Sequence, residues 1–156
     1  AAGKSQGIKA CGYRAIESLR LEKGYRAWAG EINTETNPYE AGLGFAVSLK
    51  KDNFHGKAAA VAAQANLTRK LVAITFDDIT CVPFGSEPIR IGEKIVGRIK
   101  SGGQGYTIKK AIAYAYLPIT QSEVGTNVDV ELFGTWRSGV ICAEPLFDPT
   151  NERIKA

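Results

Sequence analysis

The feature that most narrows the fold is the stretch after Asn66, where short apolar runs follow one another too closely for helices to fit between them. Six segments read as strands: Lys70–Phe76, Pro88–Ile91, Lys94–Ser101, Ala111–Leu117, Asn127–Phe133 and Thr135–Ala143. Turn clusters punctuate them at Gly85-Ser86-Glu87, Gly92-Glu93, Gly102-Gly103-Gln104-Gly105 and Gly125-Thr126. Parallel neighbours need a crossover, usually helical. Strands spaced this way therefore pair antiparallel, as a barrel or a sandwich. The first 66 residues follow a different pattern. From about Cys11 to Lys23, Ala15, Ile16 and Leu19 recur at helical spacing, and Gly24 ends the run. Glu17, Arg20, Glu22 and Lys23 supply the charges of the opposite face. Lys57–Ala65 is alanine-rich and reads as a second, short helix, whereas Leu43, Phe45, Val47 and Leu49 alternate as in a strand. Turn formers around Tyr25 and Trp28 make residues 25–40 an irregular connection. Ala1 to Ser5 has helical composition and Gly7 reads as a C-cap, like the tail of a helix whose body lies upstream. The fold class is α+β: a helical piece over 1–66, then a small antiparallel β-barrel over 67–156.

Composition removes several functions. The chain has 156 residues, 44% of them hydrophobic and 23% charged, which suits a packed core rather than disorder. No apolar run reaches the roughly 18 residues of a membrane span. Twenty Lys and Arg against sixteen Asp and Glu leave a net charge of +4, too diluted for a nucleic-acid footprint. The aromatic and basic strand face an RNA-binding barrel needs is absent, because Tyr114 and Tyr116 lie in an apolar strand. Neither nucleic acid nor membrane is an expected partner. Cys11, Cys81 and Cys142 are far apart and form no Cys/His cluster, so no metal site is expected. They read as small core residues in a reducing compartment. The lack of any Met is compatible with trimming, and also with a piece cut from a longer protein.

Few motifs carry chemistry by themselves. Ser101-Gly102-Gly103-Gln104-Gly105-Tyr106 is glycine-rich, but Lys109 and Lys110 come too late for a phosphate loop, and a strand follows. It reads as a hairpin turn. His55, beside Gly56, has no nucleophile motif to serve and reads as a turn residue. Arg14, Glu17 and Arg20 are i,i+3 neighbours and can bridge along one helical face. With Tyr25 and Trp28 beside them, the same residues can instead grip an aromatic, anionic ligand, the rings stacking and an arginine fork holding a carboxylate.

Longer stretches add a resemblance. Gly12-Tyr13-Arg14-Ala15-Ile16-Glu17-Ser18-Leu19-Arg20-Leu21-Glu22-Lys23-Gly24 resembles the R-x-x-x-S-L-R-L-E-x-G segment of the aminomethyltransferase family. That family includes the glycine-cleavage T-protein and the C-terminal regions of dimethylglycine and sarcosine dehydrogenases and oxidases. Asn37–Val47 is similar to its P-x-E-A-G-L-G-F/W-x-V segment, and Phe54-His55-Gly56-Lys57-Ala58-Ala59 to its F-x-G-K/R-x-A helix start. Val96–Gly103, Ile112–Pro118 and Glu144–Arg153 resemble the family's C-terminal barrel and ending. Lys23-Gly24-Tyr25-Arg26 and Asn151-Glu152-Arg153 tilt the likeness toward the flavin-dependent members.

The resemblance implies the end of a folate-binding domain followed by a Greek-key-like barrel, cytoplasmic or in the mitochondrial matrix. It implies transfer of a one-carbon unit from an N-methyl amine-derived iminium to tetrahydrofolate, giving 5,10-methylenetetrahydrofolate. FAD would sit in an upstream domain of the same parent polypeptide. Tyr25 and Trp28 are then expected as walls for the pterin or aminobenzoyl group. Arg14 or Arg20 would hold the carboxylate tail, with Glu22 orienting them. Arg20 and Glu22 can equally be a structural pair. The family's catalytic aspartate lies upstream of this segment, so no catalytic residue is expected here and the isolated chain should not turn over. Ile16 stands where the T-protein has an arginine. A barrel that only docks to the flavin domain, or a piece of a free T-protein, are the competing readings.

Overall fold

The computed structural model describes residues 2–155. Helix α1 spans Tyr13–Lys23 and α2 spans Lys57–Ala65, followed by strands β1 Arg69–Phe76, β2 Pro88–Ile91, β3 Lys94–Gly105, β4 Lys110–Pro118, β5 Asn127–Leu132 and β6 Thr135–Cys142. A last short helix, α3, covers Glu152–Lys155. The strands form a closed antiparallel barrel in the order β1-β4-β3-β2-β5-β6. Closure comes where β1 meets β6, with Ala73 opposite Cys142 and Ile74 opposite Ile141. Strands β2, β3 and β4 are consecutive, while β1 lies beside β4, which is a Greek-key path.

Strand β4 shows why the barrel has two cores. Ala111, Ala113, Ala115 and Leu117 point inward with Val72, Ile74, Phe76 and Ile99. Three alanines keep this side of a small barrel from overfilling. Ile112, Tyr114 and Tyr116 point outward, yet they too are buried, against Leu21 of α1 and Leu71 and Ala73 of β1. A strand covered on both faces reads as a continuous apolar run, as this one does.

Helix α1 ends as the sequence indicates. Gly24 takes φ 73°, and the Tyr25 N–H reaches the Arg20 carbonyl at 2.9 Å, closing a Schellman cap. Its buried face, however, is not the expected apolar stripe. Ser18, Leu21 and Glu22 face the barrel, while Ile16 and Leu19 are 58% and 59% exposed. Ser18 donates to the Gln104 carbonyl at 2.5 Å. Glu22 accepts the Thr107 and Ile108 N–H groups at 2.6 and 3.1 Å. Polar anchoring to β3 and its turn thus sets the helix rotation.

Three other expectations change, while the Gly7 cap is found where expected. The strand expected at 43–49 is a 3-10 turn at Gly44–Ala46 with no sheet partner. The glycine-rich segment is not a turn: Gly102 to Gly105 lie inside β3, and the turn follows at 106–109. Cys11 is exposed rather than a core residue, and Cys142 is only partly buried. At the start, a 3-10 turn at Lys4–Gln6 is closed by left-handed Gly7, and Ala1 lies outside the described residues. No helix among the described residues is long and apolar enough to cross a membrane.

Candidate functional site

A β-bulge builds the site. Ile99 pairs with Ala115, but Ser101, not Lys100, pairs with Tyr114. The extra residue flips every later side chain of β3 to the other face. Ser101, Gly103 and Gly105 therefore lie under α1, and Lys100 is left exposed at the bulge. The glycines let α1 approach closely. A Cβ on Gly103 would sit 2.7 Å from Leu21 Cδ1, and one on Gly105 would sit 3.1 Å from Glu22 Oε1. Gly102 on the opposite face has no room either, because the Pro83 carbonyl oxygen already fills the space.

Between α1, residues 27–30 and this part of the barrel lies an open groove of about 950 Å³. Tyr13, Arg14, Glu17 and Arg20 line the helix side, Trp28 and Gly30 the end, and Phe84, Lys100 and Tyr106 the barrel side. Below it is a closed polar network centred on Glu31, whose side chain is wholly buried. One Glu31 oxygen accepts Arg20 Nη1 at 2.6 Å and the Ser101 hydroxyl; the other accepts the Ala27 N–H at 2.8 Å. Burial would raise the Glu31 carboxyl, but these donors outweigh it and hold it below the usual carboxylate range. Arg20 also forks onto Glu17, with Nε at 3.1 Å. Burial opposes its charge, and the two carboxylates more than restore it, so Arg20 stays cationic beyond the ordinary range.

A second network ties residues 24–41 to the chain end. Arg26 Nε and Nη1 donate to the carbonyls of Ala41 and Gly24 at 3.0 and 2.8 Å. Its Nη2 meets Glu144, and its guanidinium lies 5.2 Å from the Tyr114 ring centre. Burial pushes the Glu144 carboxyl up despite Arg26, and its Oε1 has no hydrogen-bond partner. Burial, helped by the Glu144 charge, also drives the Tyr114 phenol well above its ordinary value; its hydroxyl donates to the Leu21 carbonyl at 2.8 Å. Lys23 holds Asp148 at 2.9 Å.

Of the five residues expected from the sequence, the groove contains Arg14, Arg20 and Trp28. Tyr25 is 57% exposed and is not part of its lining. Glu22 orients neither arginine: it is buried, and its carboxylate caps the turn after β3. The arginine partner is Glu31 instead, which the sequence reading missed. No motif marks Glu31, because it meets Ser101 from 70 residues away. Lys100 and Phe84 were also missed, since only the bulge and the loop before β2 aim them at the groove. Among the described residues no group of His, Cys, Asp or Glu could hold a metal.

A closed Greek-key barrel with a polar-anchored helix laid over its glycine-rich strand defines a barrel-plus-helix α+β module. The glycine cleavage T-protein C-terminal barrel domain matches residues 69–148, and the GCVT N-terminal domain matches residues 1–51. The chain belongs to the aminomethyltransferase (glycine-cleavage T-protein) family. It is 44% identical to human mitochondrial dimethylglycine dehydrogenase over 99% of its own length and 18% of that protein. Mouse mitochondrial sarcosine dehydrogenase is 34% identical, again over 99% of this chain and 18% of the relative. The aminomethyltransferase of Symbiobacterium thermophilum is 38% identical over 97% of this chain and 41% of its own. The crystal structure of the glycine cleavage system aminomethyltransferase T from Bartonella henselae superposes with a TM-score of 0.80 at 26% identity, covering 86% of this chain and 38% of that one.

Proposed function

We propose that the chain is the C-terminal part of a tetrahydrofolate-dependent one-carbon-transfer enzyme of the dimethylglycine or sarcosine dehydrogenase type. Residues 1–66 would be the end of its folate-binding domain and 67–156 its barrel. The 44% identity along nearly the whole chain to a dimethylglycine dehydrogenase, against 38% to an aminomethyltransferase and 34% to a sarcosine dehydrogenase, supports the dimethylglycine dehydrogenase type. The single observation that carries the ligand reading is the groove. It sets Trp28 and Tyr13 beside Arg14, an arginine with no carboxylate partner among the described residues. A pterin with an aminobenzoyl-glutamate tail has the matching chemistry: flat rings for stacking and carboxylates for a guanidinium fork.

Folate, once bound, supplies the nitrogen nucleophile that takes up the one-carbon unit. The residues of this chain would do the rest of the binding. Trp28 would wall one ring and Arg14 would hold the tail. Arg20 would keep its place through Glu31 and Glu17 and so set the helix edge of the groove. Glu31 has its oxygens committed to Arg20, Ser101 and Ala27 and stays ionised, so it has no proton to give. An antiparallel barrel offers no βαβ unit for a dinucleotide, so FAD would belong to another part of the parent polypeptide. The exposed Tyr13, Ile16 and Leu19 on α1 support a parent whose remaining folate domain covers that face. A cytoplasmic or mitochondrial-matrix location fits this reading.

The test is a calorimetric titration of the chain with 5-formyltetrahydrofolate. The expected result is saturable binding, weakened at least tenfold by Trp28→Phe or Arg14→Gln, with no one-carbon turnover by the chain alone. No binding by the wild-type chain, or turnover without any other segment, overturns the proposal.

A further inference from the structure

We infer that Phe84, braced by Phe133, is the barrel-side aromatic wall of the groove, and that Lys100 beside it recognises the ligand's anionic tail. This rests on the folate reading above and deepens it, since it assigns half of the ligand recognition to the barrel.

The two rings are exposed to solvent, yet they meet each other. Phe84 and Phe133 are 76% and 88% exposed, and they meet edge to face with centroids 6.1 Å apart. Phe133 is the first residue of a two-residue hairpin turn between Leu132 and Thr135, with φ 50°, followed by Gly134 at φ 76°. Both positions of such a turn are left-handed, which favours Asn, Asp or Gly over a bulky ring. An aromatic residue kept there strains the turn and buries almost nothing in return. Among the described residues the aromatic ring it meets is that of Phe84.

Phe84 itself is held firmly. The Glu87 carboxylate accepts the Phe84 N–H at 2.8 Å and the Gly85 N–H at 2.7 Å. Ser86 N–H reaches the Ile99 carbonyl at 2.7 Å, so the loop is stitched to β3 next to the bulge. That bulge leaves Lys100 exposed on the same wall, and no carboxylate pairs with it among the described residues. Across the groove stands Arg14, equally without a counter-ion. Two cations in one groove lining, with no carboxylate paired to either among the described residues and aromatic rings beside them, complement a flat ring system that carries carboxylates. With its backbone fixed and its ring against Phe133, Phe84 has less ordering entropy to lose on binding than a side chain on a loose loop.

Three ligands separate the parts: 5-formyltetrahydrofolate, p-aminobenzoylglutamate, and 6-methyltetrahydropterin, which lacks the tail. Each is titrated calorimetrically into the wild-type chain and into Phe84→Leu, Phe133→Asn and Lys100→Gln. Phe84→Leu should weaken 5-formyltetrahydrofolate about tenfold, with circular dichroism unchanged because the ring is exposed. Phe133→Asn should weaken it several-fold while raising the melting temperature, since asparagine relieves the turn. That opposition of stability and affinity is one a purely structural role would not give. Lys100→Gln should weaken both tailed ligands about fivefold and leave the tail-free pterin unchanged. If Phe84→Leu and Phe133→Asn bind within twofold of wild type while Trp28→Phe does not, the barrel wall is refuted and the folate reading stands. If the wild-type chain binds none of the three ligands, both fall.

Discussion

The most informative perturbation is Glu31→Ala, because one buried carboxylate joins three elements. It strands the Ser101 hydroxyl and the Ala27 N–H and leaves Arg20 Nη1 only a long bond to the Tyr25 carbonyl at 3.4 Å. Removing one partner of a buried ion pair costs about 3–5 kcal/mol. Arg20 keeps Glu17, which pulls the figure to the lower end, while the orphaned Ala27 N–H adds about 1 kcal/mol or more. The net expectation is about 3–4 kcal/mol, or roughly 6–16 °C in melting temperature for a domain of this size. Urea unfolding with an unchanged m-value measures it directly. Acid adds an independent check. The folded-state pKa of Glu31 is depressed, so its stabilisation is present above the unfolded carboxylate value of about 4.3 and is lost as pH falls through the lower folded value. The gap between wild type and Glu31→Ala should therefore be full at pH 7 and close in acid. A deficit under about 1 kcal/mol at pH 7, or one that stays constant down to acid unfolding, would refute the argument.

Two further outcomes follow from the same interface. Gly103→Ala should destabilise by about 1 kcal/mol in urea unfolding, since its methyl meets Leu21 Cδ1 at 2.7 Å and that buried side chain must shift; a neutral substitution would mean that α1 rides loosely on β3. Tyr114 is held neutral above its ordinary pKa, so the unfolded chain loses that proton first, and stability present below about pH 10 is lost as pH rises beyond it. Tyr114→Phe should flatten this alkaline loss while costing about 1 kcal/mol at pH 7 through the missing bond to the Leu21 carbonyl; parallel alkaline unfolding curves for the two proteins would contradict it.

The sequence by itself determined the elements whose signals are local. Gly24 ends α1 because only a residue at ease with positive φ closes that cap, and the six strands follow from apolar runs cut by turn residues. Closing the six strands as a barrel rather than a sandwich needed the pairing of β1 with β6, a contact between distant segments. Leu43–Leu49 shows the limit of periodicity. Its alternation matches a strand, but no neighbouring edge is there to pair with it, so it settles as a turn. The glycine-rich run failed for a related reason. Its glycines answer to the close approach of Leu21, Glu22 and Pro83 across the fold, not to a local change of direction. The site shares this division. Arg14, Arg20 and Trp28 could be named from the chain because ring and charge sit together there. Glu31 with Ser101, and Lys100 with Phe84, come together only because one bulged residue turns β3 over beneath the helix. Facing is a property of the paired sheet, and a single strand read alone does not contain it.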